Sequence, residues 1–208
     1  ITVSGLFVYP IKGARGIAVS SAQVTPLGFE HDRRFLLVDP RGDFITQREH
    51  PRLALVLTAI DGDRLTIHAP QQDPLHVPLR PSGACDRTVQ VWGTRSRAIF
   101  VGQTAADYFS TYLGTPVELV FMPENEGREV DPNFAKHDEK VSFADGYPFL
   151  LTTEESLSDV NARLVQGVGM DRFRPNIVVR GAPPWAEDSW TTLSTRGVVF
   201  HSVKPCAR

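Results

Sequence analysis

The chain has 208 residues, 41% of them hydrophobic and 22% charged, with a formal net charge of −2. That length builds one large domain or two small ones. The near-neutral balance argues against the broad basic field that nucleic acid or an acidic membrane surface attracts, and no apolar run approaches the ~20 residues of a membrane span. Two cysteines, Cys85 and Cys206, are too few for a disulfide framework. They fit a reducing, cytoplasmic setting, with a single bridge between them left open. The opening Ile1-Thr2-Val3-Ser4-Gly5 lacks Met and any signal-peptide pattern and reads as a trimmed start.

The first hundred residues read as short strands over 3–9, 18–24, 35–38, 44–47, 54–59, 64–68, 87–91 and 96–101. The turn Pro40-Arg41-Gly42-Asp43 predicts a hairpin joining 35–38 to 44–47, because Pro fixes the turn entry and Gly supplies positive φ. Asp61-Gly62-Asp63 and Trp92-Gly93-Thr94 are further hairpin signals. A meander of this kind suits a β-barrel or a strongly bent sheet. The period then changes. Ala105, Phe109 and Leu113 recur at i, i+4, i+8 before Gly114, which predicts an amphipathic helix over 104–113. Residues 117–121 form a strand. Residues 122–140 are polar, broken by Pro123 and Pro132, and read as a long loop. Thr152-Thr153-Glu154-Glu155 opens a second helix with Leu157, Val160 and Leu164 on one face. Strands over 176–179 and 197–203 complete a mixed, mainly β fold with a few helices (α+β).

Four places combine cations with turns. Lys12 and Arg15 lie among Gly13 and Gly16 after a strand, where backbone N–H groups and an ammonium could hold a phosphate; a solvated turn has the same composition. Asp32-Arg33-Arg34 is a surface ion-pair cluster or a binding cluster. Arg174 and Asn176 precede an apolar strand, where Arg174 could pair with Asp171 or Glu187 and Asn176 could cap a turn. Lys204, Cys206 and Arg208 form the fourth group, with a thiol that two cations could activate. His31, His50, His68, His76, His137 and His201 show no metal-ligand spacing. There is no P-loop, dinucleotide-binding fingerprint or nucleophile elbow.

As an ordered set these segments resemble the MOSC (molybdenum cofactor sulfurase C-terminal) family. Val8-Tyr9-Pro10-Ile11-Lys12, Asp32-Arg33-Arg34-Phe35-Leu36-Leu37-Val38-Asp39 and Thr46-Gln47-Arg48 with Pro51-Arg52-Leu53 are similar to its N-terminal β-barrel. Asp145-Gly146-Tyr147-Pro148-Phe149-Leu150-Leu151, Phe173-Arg174-Pro175-Asn176-Ile177-Val178-Val179 and Glu187-Asp188-Ser189-Trp190 are similar to the MOSC domain itself. The resemblance is strongest to the amidoxime-reducing group. It implies a β-barrel-like domain over 1–115 packed on a β-rich MOSC domain over 116–208, and a molybdenum–molybdopterin cofactor between them.

The resemblance also implies cofactor-binding positions. Lys12 corresponds to a cofactor-contacting lysine. Gly13 stands where Ser is usual, so only a backbone contact is kept there. Arg33 is another contact. Gly146 and Tyr147 fall where small hydroxyl residues approach the cofactor, and Tyr147 departs from that pattern. Arg174 and Asn176 match. Ala207 replaces a serine, and Arg208 keeps the polar end of the motif. In the family the tail reads Cys-x-x-Cys with the second Cys as metal ligand. Cys206 matches the first, so its own use as ligand would need a shift of three residues, and the expected ligand follows Arg208 in a C-terminal part of the domain.

The activity implied is a molybdenum-dependent oxidoreductase reducing N-hydroxylated small molecules, with electrons from a separate flavin-reductase, ferredoxin or cytochrome-type donor. It implies no nucleic acid and no membrane segment. Alternatives are a sulfur-carrying MOSC domain with a persulfide on Cys206, or a non-catalytic β-barrel module for a phosphate-bearing ligand.

Overall fold

The computed structural model describes residues 1–135 and 139–206. In chain order it forms β1 (Thr2–Val8), β2 (Ile17–Val19), β3 (Val24–Thr25), β4 (Gly28–Phe29), β5 (Phe35–Val38), β6 (Leu57–Asp61), β7 (Arg64–His68) and β8 (Leu75–Pro78). Then come β9 (Arg87–Val91), β10 (Thr94–Phe100), α1 (Gln103–Leu113), β11 (Glu118–Phe121), β12 (Arg128–Glu129), β13 (Lys140–Val141) and β14 (Leu151–Thr153). The last elements are α2 (Glu154–Ala162), β15 (Ile177–Arg180), β16 (Thr192–Thr195) and β17 (Val198–His201). The chain is mainly β with two α-helices among the described residues, the class read from the sequence.

Strand β5 shows why its sequence is apolar throughout. All four of its residues are buried. Phe35 and Leu37 point into one core, with Leu53, Phe109 and Leu119. Leu36 and Val38 point into a second core, with Val89, Val120 and Met122. A strand with a core on both faces loses the apolar–polar alternation of a half-buried one. Strand β11 behaves in the same way, sending Leu119 and Phe121 to the first core and Val120 to the second.

The sheet containing these strands has the order β5-β11-β10-β9, and β6-β7-β8 is a separate three-stranded meander. Among the described residues these are open sheets, a half-barrel rather than a closed barrel. Strand β8 ends in Pro78 and is followed by Pro81, which have no N–H to continue a ladder. The expected hairpin between 35–38 and 44–47 is present only in short form, closed at its turn by Asp39 N–H on Asp43 O and Gly42 N–H on Asp39 O. Strand β5 pairs along its length with β11, and the later segment contributes a bridge from Phe44 to Val38 and one bond from Ile45 N–H to Leu37 O. The predicted strand over 18–24 is split between β2 and β3. The loop over 122–140 contains β12, which pairs with β13.

The hairpins β6–β7 and β9–β10 form where turn chemistry placed them. Helix α1 buries Ala105, Ala106, Phe109 and Tyr112, and Gly114 ends it at φ +72 with its N–H on Ser110 O, the left-handed cap that glycine adopts without a Cβ penalty. Helix α2 starts at Thr153, whose Oγ1 accepts the Ser156 N–H. The helix stops at Ala162, so Leu164 lies outside it.

A third sheet, β14-β15-β1-β2, joins the two ends of the described chain. Strand β1 runs antiparallel to β15, and β14 runs parallel to β15. Val8, Phe29, Ile177 and Val179 are buried at its centre. This pairing brings the turn after β1 beside the segments that precede β14 and β15. Among the described residues no helix is long and apolar enough to cross a membrane.

Candidate functional site

The turn after β1 is tied to the segment before β5. Arg33 N–H donates to Tyr9 O, Phe35 N–H to Pro10 O, and Lys12 N–H to Phe35 O, at 2.7, 3.0 and 2.9 Å. Phe143 N–H then bonds Arg33 O, which places residues 143–147 across the same edge. Lys12 Nζ donates to Asp145 Oδ1 at 2.5 Å across 133 positions of sequence. Burial, the largest influence, pulls the Lys12 ammonium down to about 8. Asp145 opposes this, while Arg33 and Arg128 add smaller downward pulls.

Asp32, Arg33 and Arg34 are all buried, at 1%, 6% and 7% exposure, so the surface ion-pair reading of this cluster is corrected. Asp32 Oδ1 accepts the Tyr9 N–H at 2.8 Å and its Oδ2 accepts Arg33 Nη1 at 2.5 Å. Arg33 Nη1 also donates to Asn176 Oδ1 at 2.9 Å, and Nη2 to Arg174 O at 3.2 Å. A buried ion pair is tolerable when its remaining donors are satisfied in this way. Asn176 is itself buried, with Nδ2 on Phe7 O and Oδ1 accepting the Leu150 N–H; it ties sheet, turn and cation together rather than capping a turn. Arg174 Nη1 donates to Ala14 O at 2.7 Å. The guanidiniums of Arg33 and Arg174 both lie 4.5 Å from the Tyr9 ring centroid, within cation–π range.

Both arginines have left-handed backbones, Arg33 at φ +50 and Arg174 at φ +58. Non-glycine residues hold that conformation at a cost of order 1 kcal/mol or more, and such residues gather at functional sites.

Four of the expected site residues, Lys12, Arg33, Arg174 and Asn176, therefore converge. A cleft of about 630 Å³ opens next to them, lined by Arg33, Asp145, Gly146, Tyr147, Asn176 and Cys206 among mostly apolar residues. A Cβ at Gly146 would meet nothing within 4 Å. The Tyr147 hydroxyl is buried with no partner among the described residues. Gly13, at φ +89, packs beside Leu53 and accepts a bond from Gln47 Nε2 on its carbonyl. Lys12, Gly13 and Arg174 are not among the residues that line the cleft. Cys85 and Cys206 form no disulfide with each other, and Cys206 is exposed. Ala207, Arg208 and His137 lie outside the described residues.

Three participants were missed in the sequence. Arg128, assigned to a featureless loop, is buried beneath Asp145; its Nη1 and Nη2 donate to Ala144 O and Asp145 O, and its Nε has no partner among the described residues. Asp145, given no role of its own within the segment 145–151, is the acceptor for Lys12. Trp92, read as a hairpin turn, donates Nε1–H to the same Asp145 oxygen at 3.1 Å. Only Trp92 carried a signal, as a bulky aromatic where a tight hairpin turn favours Asn.

Lys12, Arg33, Arg128 and Arg174 stand against two carboxylates, Asp32 and Asp145. At this spot the four cations outnumber the two carboxylates, while Glu139, Glu187 and Asp188 line other parts of the cleft; with an orphaned buried donor on Arg128 and open backbone at Gly146, the cation cluster fits an anionic, phosphate-bearing group.

Residues 1–116 match the MOSC N-terminal beta barrel domain and residues 138–208 match the MOSC domain. The chain is 34% identical over 217 residues to mitochondrial amidoxime-reducing component 1 of Homo sapiens, covering 100% of this chain and 64% of that protein. It is 33% identical over 221 residues to mitochondrial amidoxime reducing component 2 of Homo sapiens, with the same coverages. Component 1 of Danio rerio is 30% identical over 216 residues, covering 99% of this chain and 66% of that protein. The chain thus spans somewhat under two thirds of the length of these relatives. With the first match alone covering more than half of its residues, this chain belongs to the MOSC family.

Proposed function

We propose that the chain is the cofactor-holding part of a molybdenum-dependent oxidoreductase that reduces N-hydroxylated compounds of the amidoxime type. The observation that carries this reading is the cluster of buried Arg33 and Arg128 with half-buried Lys12 and Arg174 beside a cleft that Cys206 also lines. The names of the relatives support this reaction class. Bound molybdenum–molybdopterin would supply the two-electron redox centre.

The protein's own residues do the holding and orienting. Lys12 is the cation that can turn from Asp145 to a phosphate oxygen, and the open backbone at Gly146 allows close approach. Arg33 is fixed by Asp32 and Asn176, so its charge is oriented before any ligand arrives, which lowers the cost of binding. Arg174, held on Ala14 O, adds to the same field. Gly13 contributes backbone only. Ala207 and Arg208 are proposed contacts at the end of the same motif, and Cys206 its first cysteine, with the metal-bound cysteine three positions later.

In the overall reaction the N–O bond breaks. Two electrons and two protons are consumed and water leaves, giving the amidine from an amidoxime. The electrons come from a separate donor protein of flavin-reductase, ferredoxin or cytochrome type. Thiols rather than a disulfide at Cys85 and Cys206 fit a reducing compartment; fractionation of the source cells distinguishes the cytoplasm from the mitochondrial setting in the relatives' names.

The test is metal analysis and benzamidoxime reduction by the full-length protein from a cofactor-competent host. Stoichiometric molybdenum and donor-dependent formation of benzamidine are expected, and protein without molybdenum overturns the reading. The exposed position of Cys206 on the cleft favours one second reading, sulfur transfer through a Cys206 persulfide. Mass spectrometry of the intact protein would detect that adduct.

A further inference from the structure

The cleft is bordered by Asp145 and not by Lys12, although Lys12 Nζ donates to Asp145 Oδ1. The carboxylate on the cleft wall thus holds the ammonium assigned to the phosphate. The two side chains differ in their freedom to move. That of Lys12 is 11% exposed and that of Asp145 54%. The main chain under Asp145 is pinned by Arg128, which donates to the Ala144 and Asp145 carbonyls. The carboxylate can therefore rotate into water while its backbone stays, and solvation there offsets much of the lost ion pair.

Trp92 adds a second hold, its Nε1–H donating to the same Asp145 oxygen at 3.1 Å. The residue is an outlier in its turn. The β9–β10 hairpin turns through Trp92 and Gly93 at φ +51 and +85, the type I′ geometry in which Asn-Gly is favoured and a bulky aromatic is strained. Burial of the indole does not offset that strain, since Trp92 is 54% exposed. Five cross-strand pairs and the buried side chains of Val89, Val91 and Ala98 already fix the hairpin. The ring is nevertheless held in one orientation. Phe44 meets it edge-on with centroids 4.8 Å apart, and the same Phe44 ring lies 5.6 Å from Lys12 Nζ. A strained aromatic held so that its one donor meets a mobile carboxylate has the form of a catch, and strain of this kind gathers at switching segments.

We propose that the Lys12–Asp145–Trp92 contact is an autoinhibitory latch: Asp145 stands in for the ligand's phosphate on Lys12, Trp92 is the catch that keeps it there, and a phosphate-bearing ligand takes the lysine only when Asp145 turns out into solvent. The placement of the phosphate on Lys12 rests on the functional reading above. The latch keeps the half-buried lysine paired while no ligand is bound. It also weakens binding, because the apparent Kd is the intrinsic one divided by the fraction of open molecules. A charge-assisted hydrogen bond from the indole lowers that fraction by about tenfold.

The experiment titrates inorganic phosphate, at constant ionic strength, into the cofactor-free full-length protein. Binding is read by calorimetry and by the indole N–H signals in proton–nitrogen NMR, where the Trp92 signal is identified by its loss in Trp92→Phe. Phosphate should shift that signal in the wild type as Asp145 leaves it. Trp92→Phe keeps a ring beside Phe44 and removes only the donor, so it should bind phosphate about tenfold more tightly. In an Asp145→Ala background the same substitution should change the affinity by less than about twofold, because Trp92 acts through the carboxylate; a merely structural Trp92 would act alike in both backgrounds. Lys12→Met should bind no phosphate. Binding that Lys12→Met abolishes and Trp92→Phe fails to strengthen overturns the latch and leaves the functional reading standing. Binding absent from the wild type and Trp92→Phe alike, or surviving in Lys12→Met, overturns the phosphate placement in the functional reading and the latch with it.

Discussion

Replacing Lys12 by Met separates the cost of burying a cation from its use. The Lys12 side chain is 11% exposed, and burial lowers its ammonium from 10.5 to about 8 in spite of Asp145. In the unfolded chain it titrates at its ordinary value. Between about pH 8 and 10.5 the unfolded state therefore binds more protons than the folded state, and stability rises with pH across that window. Below pH 8 the whole cost is present, about 3 kcal/mol at about 1.4 kcal/mol per pH unit. Met fills similar volume without charge, and Asp145, with a side chain 54% exposed, can be solvated when its partner is removed. The cofactor-free Lys12→Met protein should therefore be more stable than the wild type at pH 7 by up to about 3 kcal/mol, and most of the difference should be gone at pH 10.5. Urea unfolding of both proteins at the two pH values measures this. The same variant should retain at least about tenfold less molybdenum, because a charged donor to the phosphate is gone. A variant less stable at pH 7, or a gain that does not depend on pH, refutes the reasoning.

Asn176→Ala should cost about 3 kcal/mol, because Arg33 Nη1, Leu150 N–H and Phe7 O each lose a partner in a buried setting; calorimetry should show the melting temperature falling by about 6–12 °C. Gly146→Ser should leave the melting temperature within about 1 °C, since its Cβ enters open space, and molybdenum content by elemental analysis should not fall. Gly42→Ala should behave in the opposite way, losing about 2 kcal/mol or more in chemical denaturation. Its Cβ would lie 2.5 Å from Thr88 O on a backbone at φ +88.

What could be read from the sequence was what neighbouring residues decide among themselves. The 3.6-residue recurrence of Ala105 and Phe109 with Gly114 as a stop, and the turns at 61–63 and 92–94, rest on local backbone preferences, and α1 and both hairpins form there. Collinear motifs pointed to Lys12, Arg33, Arg174 and Asn176 without any account of how they meet. Tertiary structure decided the rest. Strand β5 takes β11 as its long partner on one edge and keeps a short antiparallel contact with the segment beyond its turn on the other, so the central place of β5 in its sheet is set by a strand about 80 residues later in the chain. The Asp32–Arg33 pair has the composition of a surface cluster, and only the packing of the turn after β1 against 174–176 buries it and gives each donor an acceptor. Lys12 and Asp145 are 133 residues apart. Charge attraction of that kind leaves no local pattern; it exists only once β1 has paired with β15 and carried the lysine to the carboxylate.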